Sequence, residues 1–204
     1  LPGIVVGSVQ LLPIGGLVAV ADWPSETMLG SDLVVMSPGD DSLQLLYSMP
    51  DVQGKSVLEL CCGSGIAAAC AAKAGASVVA LDCNHRCCCL ARITAGLNGV
   101  LVDVIHGQLY QPLRGRLFDV ILANPPFVAS PDTLSLYASG GADGLAVTRD
   151  ILVGAANLLS PSGSLLLVAE LPVDGMEDTS FPWLADLVPE LSLSIVAVYT
   201  PEHV

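Results

Sequence analysis

The stretch that decides the fold is residues 56–82, which read SVLELCCGSGIAAACAAKAGASVVALD. Apolar runs at 57–60 and 78–81 are short and are bounded by polar or glycine residues, which predicts two buried strands. The segment between them, residues 66–74, is predicted to form a helix. A strand, a helix and a second strand in succession predict a unit in which the two strands run parallel.

The same alternation continues along the rest of the chain. The predicted elements are a helix at 85–97, strands at 102–105 and 118–123, a helix at 145–159, a strand at 164–169, a helix near 183–187 and a strand at 192–199. We expect the helix at 145–159 to end at the turn residues 160–163. Strands and helices that alternate in this way predict an α/β fold, a mostly parallel sheet with helices on both faces.

The beginning of the chain has a different character. Short Val, Ile and Leu runs such as 4–6 and 17–20 alternate with Pro-Gly and Gly-Gly breaks, which predicts short strands and hairpins. The 204 residues of the chain are enough for one α/β domain. We therefore assign residues 1–36 to an N-terminal extension and residues 37–204 to the domain.

The charge of the chain limits its binding partners. The formal net charge is -13, and only seven basic residues occur, scattered along the chain. Nucleic-acid binding rests mainly on clustered basic residues, so direct binding of DNA or RNA is disfavoured. Charged residues make up 13% of the chain. Typical soluble domains have about 25%, so we expect a protein partner to cover part of an apolar surface. No apolar stretch reaches the roughly 18 residues of a membrane-spanning helix.

All seven cysteines lie between Cys61 and Cys89, inside the region of regular strand and helix alternation. This position is untypical of a disulfide framework and predicts reduced thiols, hence an intracellular location, cytoplasmic or organellar. Neighbouring residues on a helix point in different directions, so the cysteine run at 87–89 is not expected to bind one metal ion. The cysteines are interpreted as small core residues, and no metal site is predicted.

A glycine-rich turn, ELCCGSG at residues 59–65, is predicted where the first strand of the sheet leads into a helix. Gly63 and Gly65 let the backbone approach a ligand closely. The carboxyl edge of a parallel sheet is where nucleotide-like cofactors bind, so the turn is a candidate cofactor site. The alternative is that these glycines serve only to pack the strand against the helix.

Asp82 ends the next strand, about twenty residues beyond the turn. An acidic side chain at this place can accept both hydrogen bonds of a ribose diol. The alternative is that Asp82 caps the helix that begins near Asn84. Together the turn and Asp82 favour a cofactor that contains a nucleoside.

The third motif, NPPF at residues 124–127, directly follows a predicted strand. Pro125 and Pro126 fix their own φ angles and push the preceding residue into an extended conformation, so Asn124 is held rigidly. An amide or exocyclic amino nitrogen is a poor nucleophile. Asn124 Oδ1 and the Pro125 carbonyl can accept its two hydrogens and aim it at a methyl donor, and Phe127 can stack on the flat group. The alternative is a turn without a chemical role.

With these three motifs the chain resembles the HemK-type methyltransferases, which methylate the glutamine of the Gly-Gly-Gln loop of translation release factors, and their relatives that methylate nucleobase amino groups. The resemblance extends from about residue 34 to residue 199. It includes PGDD at 38–41, similar to the family's Pro-x-x-Asp segment, and GGADGL at 140–145, similar to its Gly-Gly-x-Asp-Gly-Leu segment. The resemblance implies the Rossmann-like class I methyltransferase fold.

The resemblance also implies S-adenosylmethionine as the methyl donor, with Glu59 and the glycine-rich turn around its amino-acid part and Asp82 on its ribose. Inline displacement needs mainly positioning and a dry site, so no general base is required before the methyl group moves. The residues expected to bind the donor are Pro38, Asp41, Glu59, Cys61, Gly63, Gly65, Asp82, Gln108 and Asn124. The expected catalytic residues are Asn124, Pro125, Pro126 and Phe127.

Three positions depart from the family's pattern. Cys61 stands where the first glycine of the turn is usual, Gln108 where an aspartate contacts the adenine amino group, and Phe127 where tyrosine is commoner. A Gln carbonyl can accept the same hydrogen bond without charge, and Phe127 keeps the stacking face. Residues 1–35 do not match the helical substrate-binding domain of the bacterial enzymes. The chain therefore resembles the short branch of the family, which works with a small zinc-binding activator.

The predicted function is N-methylation of a planar amide or amino nitrogen, with a protein glutamine side chain as the leading acceptor and a translation release factor as the candidate protein substrate. Two alternatives stay open. One is a nucleobase amino group as acceptor, and the other is a catalytically retired methyltransferase fold that serves as a structural subunit of a larger assembly. The low fraction of charged residues and the presence of Gln108 favour the structural subunit. The family's C-terminal strand hairpin is expected to be incomplete, because one strand is predicted there.

Overall fold

The computed structural model describes residues 7–24, 34–113, 115–130, 137–171, 182–189 and 191–192. The strands are β1 (Gln10–Ile14), β2 (Leu17–Ala21), β3 (Ser56–Leu60), β4 (Ser77–Asp82), β5 (Asp103–His106), β6 (Phe118–Ala123) and β7 (Leu159–Leu167). The α-helices are α1 (Asp40–Tyr47), α2 (Ile66–Lys73), α3 (His85–Leu97), α4 (Ala146–Ala155) and α5 (Pro182–Leu187).

Five of the strands form a parallel sheet in the order β5-β4-β3-β6-β7. The chain moves outward in one direction from β3 to β5 and then returns to place β6 on the other side of β3. The strand order therefore reverses between β3 and β6. Ligands of open α/β sheets bind at such a switch point, outside the carboxyl ends of the strands.

The sheet is covered on both faces, because the side chains of each strand alternate between two apolar layers. In β3, Val57 packs into the layer that holds α2 and α3, whereas Leu58 packs into the layer that holds α4. Both side chains are fully buried. The predicted α/β fold, with a mostly parallel sheet and helices on both faces, is confirmed. The predicted helices at 66–74 and 85–97 agree with α2 and α3 to within one residue.

β1 and β2 form an antiparallel hairpin outside the main sheet. Gly15 and Gly16 form its turn with φ values of +57° and +82°, as a two-residue hairpin turn requires. β2 lies against α3, and Val18 exchanges two hydrogen bonds with the Asn98 side chain, at 2.9 and 2.8 Å. The hairpin predicted from the glycine breaks is thus confirmed. The division of the chain after residue 36 stays a prediction.

The end of α4 and the start of β7 differ from the sequence prediction, which places residues 145–159 in one helix. α4 ends at Ala155, and β7 already begins at Leu159. Residues 160–163 lie in β7, where its register with β6 shifts, and do not form a loop after the helix. A proline and a glycine are tolerated in a strand at a bulge, so this turn signal marks a strand irregularity and not a helix end.

Two predicted strands lie outside the described residues. They are the run at 4–6 and, apart from its first residue, the segment 192–199. The predicted helix near 183–187 is confirmed as α5. Within the described ranges, no helix is both long enough and apolar enough to cross a membrane.

Candidate functional site

The carboxyl ends of β3, β4, β5 and β6 meet at one edge of the sheet. Leu60 at the end of β3 lies opposite Leu81 of β4 and Ala123 of β6. Asp82 at the end of β4 lies opposite His106 at the end of β5. The three sequence motifs end or follow these strands, so the strand register brings them together at the switch point.

The two glycines of the turn after β3 have different surroundings. A Cβ atom on Gly65 would lie 2.6 Å from the Cβ atom of Ala91 in α3, so glycine is needed there for helix packing. A Cβ atom on Gly63 would meet no atom within 4 Å, so the backbone there faces open space. Cys61 adopts the left-handed conformation that favours glycine, with φ of +54°. Gly65 thus has a packing role, and Gly63 offers a surface that a ligand can approach.

Glu59 is buried in β3 beneath the turn. Its Oε2 accepts the backbone N–H of Ala68, in the first turn of α2, at 2.8 Å. Burial is the main reason that the pKa of Glu59 rises to about 8, with Asp82 adding to the rise and the N–H groups of Ala68 and Ala67 opposing it. Glu59 therefore holds the turn against α2, and its influence on a ligand passes through the turn.

Asp82 ends β4, and each of its carboxylate oxygens accepts a backbone N–H. Oδ2 accepts from Gly63 at 2.9 Å and Oδ1 accepts from Asn84 at 2.8 Å. Burial raises the pKa of Asp82 above its usual value, although these two bonds lower it. The capping residue of α3 is Asn84, whose Oδ1 accepts the N–H of Arg86 at 2.9 Å. The Cys87 thiol also hydrogen-bonds to this carboxylate. A carboxylate has about four acceptor positions, so Asp82 keeps one for a ribose hydroxyl group.

Gln108 lies two residues beyond β5 and is exposed. The preceding residue, Gly107, donates its N–H to the Asp82 carbonyl oxygen at 3.0 Å. A Cβ atom on Gly107 would lie 2.9 Å from Cγ of Pro112, so glycine lets the chain turn closely into the short 3-10 helix Gln111–Leu113. The side chain of Gln108 is therefore open to a ligand at this edge of the sheet.

The side-chain amide of Asn124, directly after β6, is the polar centre of the site. Its Nδ2 donates to Asp41 Oδ2 at 2.9 Å and lies 3.4 Å from Ser42 Oγ. Its Oδ1 is buried and accepts no hydrogen bond from the described residues. Leaving a buried acceptor unsatisfied costs about 1–3 kcal/mol. The position of Oδ1 therefore suits an N–H donor on a ligand.

The segment 140–145 packs against the end of the NPPF motif, at Phe127. Pro125 is buried, whereas Pro126 and Phe127 are half-buried. Gly144 has a φ of +78°, and a Cβ atom there would lie 2.4 Å from the carbonyl oxygen of Phe127. The segment is part of the family resemblance, but its residues are absent from the predicted site. In the fold it supports the NPPF corner.

The PGDD segment at 38–41 leads into α1. Pro38 is half-buried, and Asp41 lies in the first turn of the helix, where negative charge is favourable. Asp41 Oδ1 accepts the N–H of Ser42 at 2.8 Å, which leaves Oδ2 for Asn124. The sequence predicts Asp41 in the donor site but gives no signal for its contact with Asn124. That contact joins segments about eighty positions apart, which spacing along one element cannot reveal.

The interpretation of the cysteines as core residues is confirmed for three of the seven and is wrong for Cys83: Cys62, Cys87 and Cys88 are buried, Cys61, Cys70 and Cys89 are half-buried, and Cys83 is exposed. Cys88 packs in the layer with α2, and Cys87 packs against the hairpin. All seven thiols are free. Among the described residues, no group of three or more His, Cys, Asp or Glu side chains is placed to hold a metal ion.

The residues at this edge fit S-adenosylmethionine. Three ligand-facing groups lie at the carboxyl ends of β3, β4 and β5. They are, in that order, the open backbone at Gly63, the carboxylate of Asp82 and the exposed side chain of Gln108. On the β6 side, Asn124 Oδ1 lacks a donor among the described residues. A ligand with a ribose hydroxyl group suits the first set, and an acceptor nitrogen that carries hydrogen suits the second.

Comparison with known proteins agrees with this geometry. A family model described as the methyltransferase small domain matches residues 39–179. A Methanocaldococcus jannaschii protein assigned as a protein N5-glutamine methyltransferase is 32% identical over 152 residues, which cover 71% of this chain and 76% of that protein. The release factor glutamine methyltransferase of Deinococcus radiodurans is 31% identical over 203 residues, which cover 89% of this chain and 71% of that protein.

Among solved structures, the T. thermophilus 16S rRNA N2 G1207 methyltransferase in complex with AdoMet and guanosine has a TM-score of 0.59 at 22% identity, covering 78% of this chain and 41% of that one. At this identity the likeness shows the fold, which is Rossmann-like as expected. The family model matches well over half of the chain. These matches confirm the resemblance seen in the motifs: the chain belongs to the methyltransferase small domain family and is an S-adenosylmethionine-dependent methyltransferase.

Proposed function

We propose that this protein methylates the side-chain amide nitrogen of a glutamine in a protein substrate, with a translation release factor as the first candidate. The observation that carries the proposal is the buried Oδ1 of Asn124, an acceptor without a donor among the described residues, at the switch point of the sheet. The names of the two relatives, a protein N5-glutamine methyltransferase and a release factor glutamine methyltransferase, support the same acceptor.

The residues after β6 would hold and orient the acceptor nitrogen. The lone pair of an amide nitrogen is delocalised, so the nitrogen reacts only when it is well aimed at the electrophile. Asn124 Oδ1 and the Pro125 carbonyl would accept its two N–H hydrogens. Pro125 is buried and fixed in φ, so this corner loses little freedom when the substrate binds. The half-buried ring of Phe127 would stack on the planar amide.

The donor would lie along the ends of β3 to β5. When bound, S-adenosylmethionine supplies an electrophilic methyl group on a sulfonium. Asp82 would accept a ribose hydroxyl group, and Gln108 would accept a hydrogen bond from its adenine amino group. The turn that contains Gly63, supported by Glu59, would line its amino-acid part. The complete proposed donor set is Pro38, Asp41, Glu59, Cys61, Gly63, Gly65, Asp82, Gln108 and Asn124.

A protein acceptor suits the charge of the chain better than a nucleic acid. The net charge is -13 with seven basic residues. Phosphate binding needs basic side chains that are not already paired, and several basic side chains of this chain are paired with carboxylates. Three arginines pair with carboxylates: Arg86 with Asp22, Arg116 with Asp103 and Arg149 with Asp143. A strongly acidic enzyme also repels a nucleic-acid substrate at long range.

The test is methyl transfer from labelled donor to a protein that contains a Gly-Gly-Gln loop, with RNA and DNA as parallel acceptors. Asn124→Ala should lower turnover by about a hundredfold or more, because it removes the acceptor that positions the nitrogen. Asn124→Asp should also be slow, because it adds charge beside the nitrogen. Donor affinity should fall far less than turnover in both variants, because Asn124 is one of nine residues proposed to line the donor. Asn157→Ala, at an exposed position in the turn after α4, is the matched control. Undiminished transfer by Asn124→Ala would refute the assigned role, and transfer to nucleic acid alone would refute the acceptor.

We also propose that a protein partner covers part of the apolar surface and that the protein works in a reducing compartment. Leu101, which precedes β5, is 94% exposed, and Ile93 and Leu97 of α3 are 48% and 53% exposed. Apolar surface of this kind usually marks an interface. The seven free thiols suit a reducing environment. Soluble, monodisperse monomer at high concentration, with no partner recovered from the native source, would refute the partner.

A further inference from the structure

The amide of Asn124 has two sides with different surroundings. On one side Nδ2 donates to Asp41 Oδ2 at 2.9 Å, with Ser42 Oγ at 3.4 Å. On the other side Oδ1 is buried and accepts no hydrogen bond from the described residues. The contacts of Nδ2 therefore decide whether Oδ1 is the atom that faces a substrate.

Only one orientation of this amide is compatible with Asp41. An ionised carboxylate has acceptors and no donor, whereas the asparagine amide has a donor nitrogen and an acceptor oxygen. If the amide rotated by half a turn, Asn124 Oδ1 would face Asp41 Oδ2, and two acceptors would meet without a hydrogen between them. The carboxylate thus selects the orientation in which Oδ1 is left for another partner. A hydrogen bond to a charged acceptor is also stronger than one between neutral groups.

Asp41 is itself held in place for this contact. It lies in the first turn of α1, where the N-terminal end of the helix favours a negative charge. Its Oδ1 accepts the N–H of Ser42 at 2.8 Å, so the carboxylate is oriented with Oδ2 towards Asn124. Both residues are half-buried, and the contact is partly shielded from water.

We propose that Asp41 is a positioning residue for the methyl acceptor: by holding Nδ2 of Asn124, it orients Oδ1 of Asn124 towards the substrate nitrogen. The inference rests on the proposed function and deepens it, since it assigns Asp41 a role on the acceptor side of the site. The negative charge also polarises the amide, which makes Oδ1 a better acceptor. Asp41 does not touch the substrate in this role and acts only through Asn124.

The experiment is a double-mutant cycle between Asp41 and Asn124, measured as single turnovers at saturating labelled donor. Asp41→Ala should slow transfer to a Gly-Gly-Gln loop by about tenfold or more, since the amide is then free to rotate. In the Asn124→Ala background the same substitution should have almost no effect, because the residue through which Asp41 acts is gone. Asp41→Asn keeps a side-chain oxygen that can accept from Nδ2, so its effect should be smaller.

Two further measurements separate this role from donor binding and from the proposed function. Calorimetric titration gives the donor Kd of each variant. The side-chain NH₂ resonances of Asn124 in isotopically labelled protein report the contact without any activity, and Asp41→Ala should remove the downfield shift of the hydrogen-bonded proton. Asp150→Asn, which removes one negative charge from an exposed position in α4, is the control for net charge.

Equal loss of turnover in both backgrounds would overturn the inference, because Asp41 would then act independently of Asn124. A rise in donor Kd with unchanged turnover at saturation would overturn it as well. Unchanged Asn124 resonances in Asp41→Ala would show that the contact does not orient the amide. If the wild type methylates no glutamine acceptor while these resonances still depend on Asp41, the proposed acceptor is wrong and the orientation of Asn124 by Asp41 stands.

Discussion

Asp82 connects the glycine-rich turn to the start of α3, because its two oxygens accept the N–H groups of Gly63 and Asn84. We expect Asp82→Ala to weaken binding of S-adenosylmethionine by about 1–3 kcal/mol, since a charge-assisted acceptor for a ribose hydroxyl group is lost. Calorimetric titration with donor measures this change. The fold must be checked in parallel, because the same substitution leaves two backbone N–H groups without their acceptor.

Asp119 offers a matched control for the Asp82 substitution. It lies in β6 near the opposite end of the sheet, and its side chain accepts hydrogen bonds from the Ser56 backbone and hydroxyl and from the Ser160 hydroxyl. Asp119→Ala should therefore disturb the sheet without changing donor affinity. Equal donor affinity in wild type and a folded Asp82→Ala protein would mean that Asp82 serves only the backbone.

Glu59 should give the stability of the protein a recognisable pH dependence. Burial raises its pKa to about 8 in the folded protein, against 4.5 for a solvated glutamate side chain. The folded state therefore binds more protons than the unfolded state between these values, and this contribution to stability is lost as the pH rises. Relative to Glu59→Gln, the wild type should lose on the order of 3 kcal/mol of unfolding free energy between pH 5 and pH 8.

Urea unfolding at several pH values measures this difference. The Gln variant keeps an oxygen that can accept the N–H of Ala68, so its fold is expected to survive. Glu170→Gln, at an exposed position, is the charge-matched control. If wild type and Glu59→Gln have parallel pH profiles, the Glu59 carboxyl is not protonated in the fold at neutral pH.

At the scale of single residues, the sequence reveals positions at strand ends but not contacts between distant segments. Asp82 and Asn124 could be assigned to one edge because each ends or follows a strand of a parallel sheet. The contact between Asp41 and Asn124 could not, because it depends on where α1 packs. The left-handed conformation of Cys61 was equally hidden, although the glycine usual at that position hinted at it.

The NPPF corner is supported by a second part of the chain, the segment 140–145. Gly144 has a φ of +78°, and an added Cβ atom would lie 2.4 Å from the carbonyl oxygen of Phe127. Gly144→Ala should displace the corner and lower turnover by about tenfold or more, since small misplacements of positioning groups are costly. Donor affinity should change little, because the glycine-rich turn and Asp82 lie on other strands.

Gly99→Ala is a control that introduces backbone strain without the steric clash that Gly144→Ala creates with the Phe127 carbonyl oxygen. Gly99 has a φ of +65°, but a Cβ atom there would meet no atom within 4 Å. This substitution should cost about 1 kcal/mol of unfolding free energy and leave turnover unchanged. Thermal unfolding and single-turnover kinetics on both variants provide the comparison. Equal turnover in the two variants would mean that Gly144 does not support the corner.

At the scale of elements, the alternation of apolar runs with helical segments was sufficient to predict the parallel sheet. Val57 and Leu58 show why, since a strand with apolar residues on both faces must be covered on both faces. The boundary between α4 and β7 was not predictable in this way. Turn residues at 160–163 look alike in a loop and in a strand bulge, and only pairing with β6 distinguishes the two.

At the scale of the whole molecule, the hairpin is tied to the methyltransferase core by a buried charge. Asp22, directly after β2, is 2% exposed and pairs with Arg86 in the first turn of α3. Its Oδ2 also accepts the N–H of Val35 at 2.8 Å. A buried carboxylate that depends on a cation from another element couples the folding of the two parts. We therefore expect the hairpin to unfold together with the domain, despite the division after residue 36 made from the sequence.

The two tryptophans of the chain allow this coupling to be measured. Trp23 follows the hairpin, and Trp183 of α5 packs with α4 in another apolar cluster. Trp183→Phe leaves a fluorescent reporter at the hairpin, and Trp23→Phe leaves one at α5. In each variant, the urea transition followed by fluorescence is compared with the transition followed by circular dichroism, which corrects for differences in stability between the variants. If unfolding is two-state, the corrected fluorescence transitions of the two variants should coincide.

Adding Arg86→Ala to both tryptophan variants should lower the two fluorescence midpoints together, because it leaves the buried Asp22 carboxylate without its cation. The expected loss is about 1–3 kcal/mol of unfolding free energy. Arg116→Ala breaks an exposed ion pair with Asp103, whose closest atoms are 3.5 Å apart, and removes the guanidinium that lies 5.5 Å from the centre of the Phe118 ring, so it should change stability by no more than about 1 kcal/mol. A Trp23 transition that Arg86→Ala moves to lower urea, while the Trp183 transition stays in place, would show that the hairpin folds as a separate extension. A common shift means that the hairpin is part of the structure that positions the active site, since α3 also borders the glycine-rich turn through Ala91.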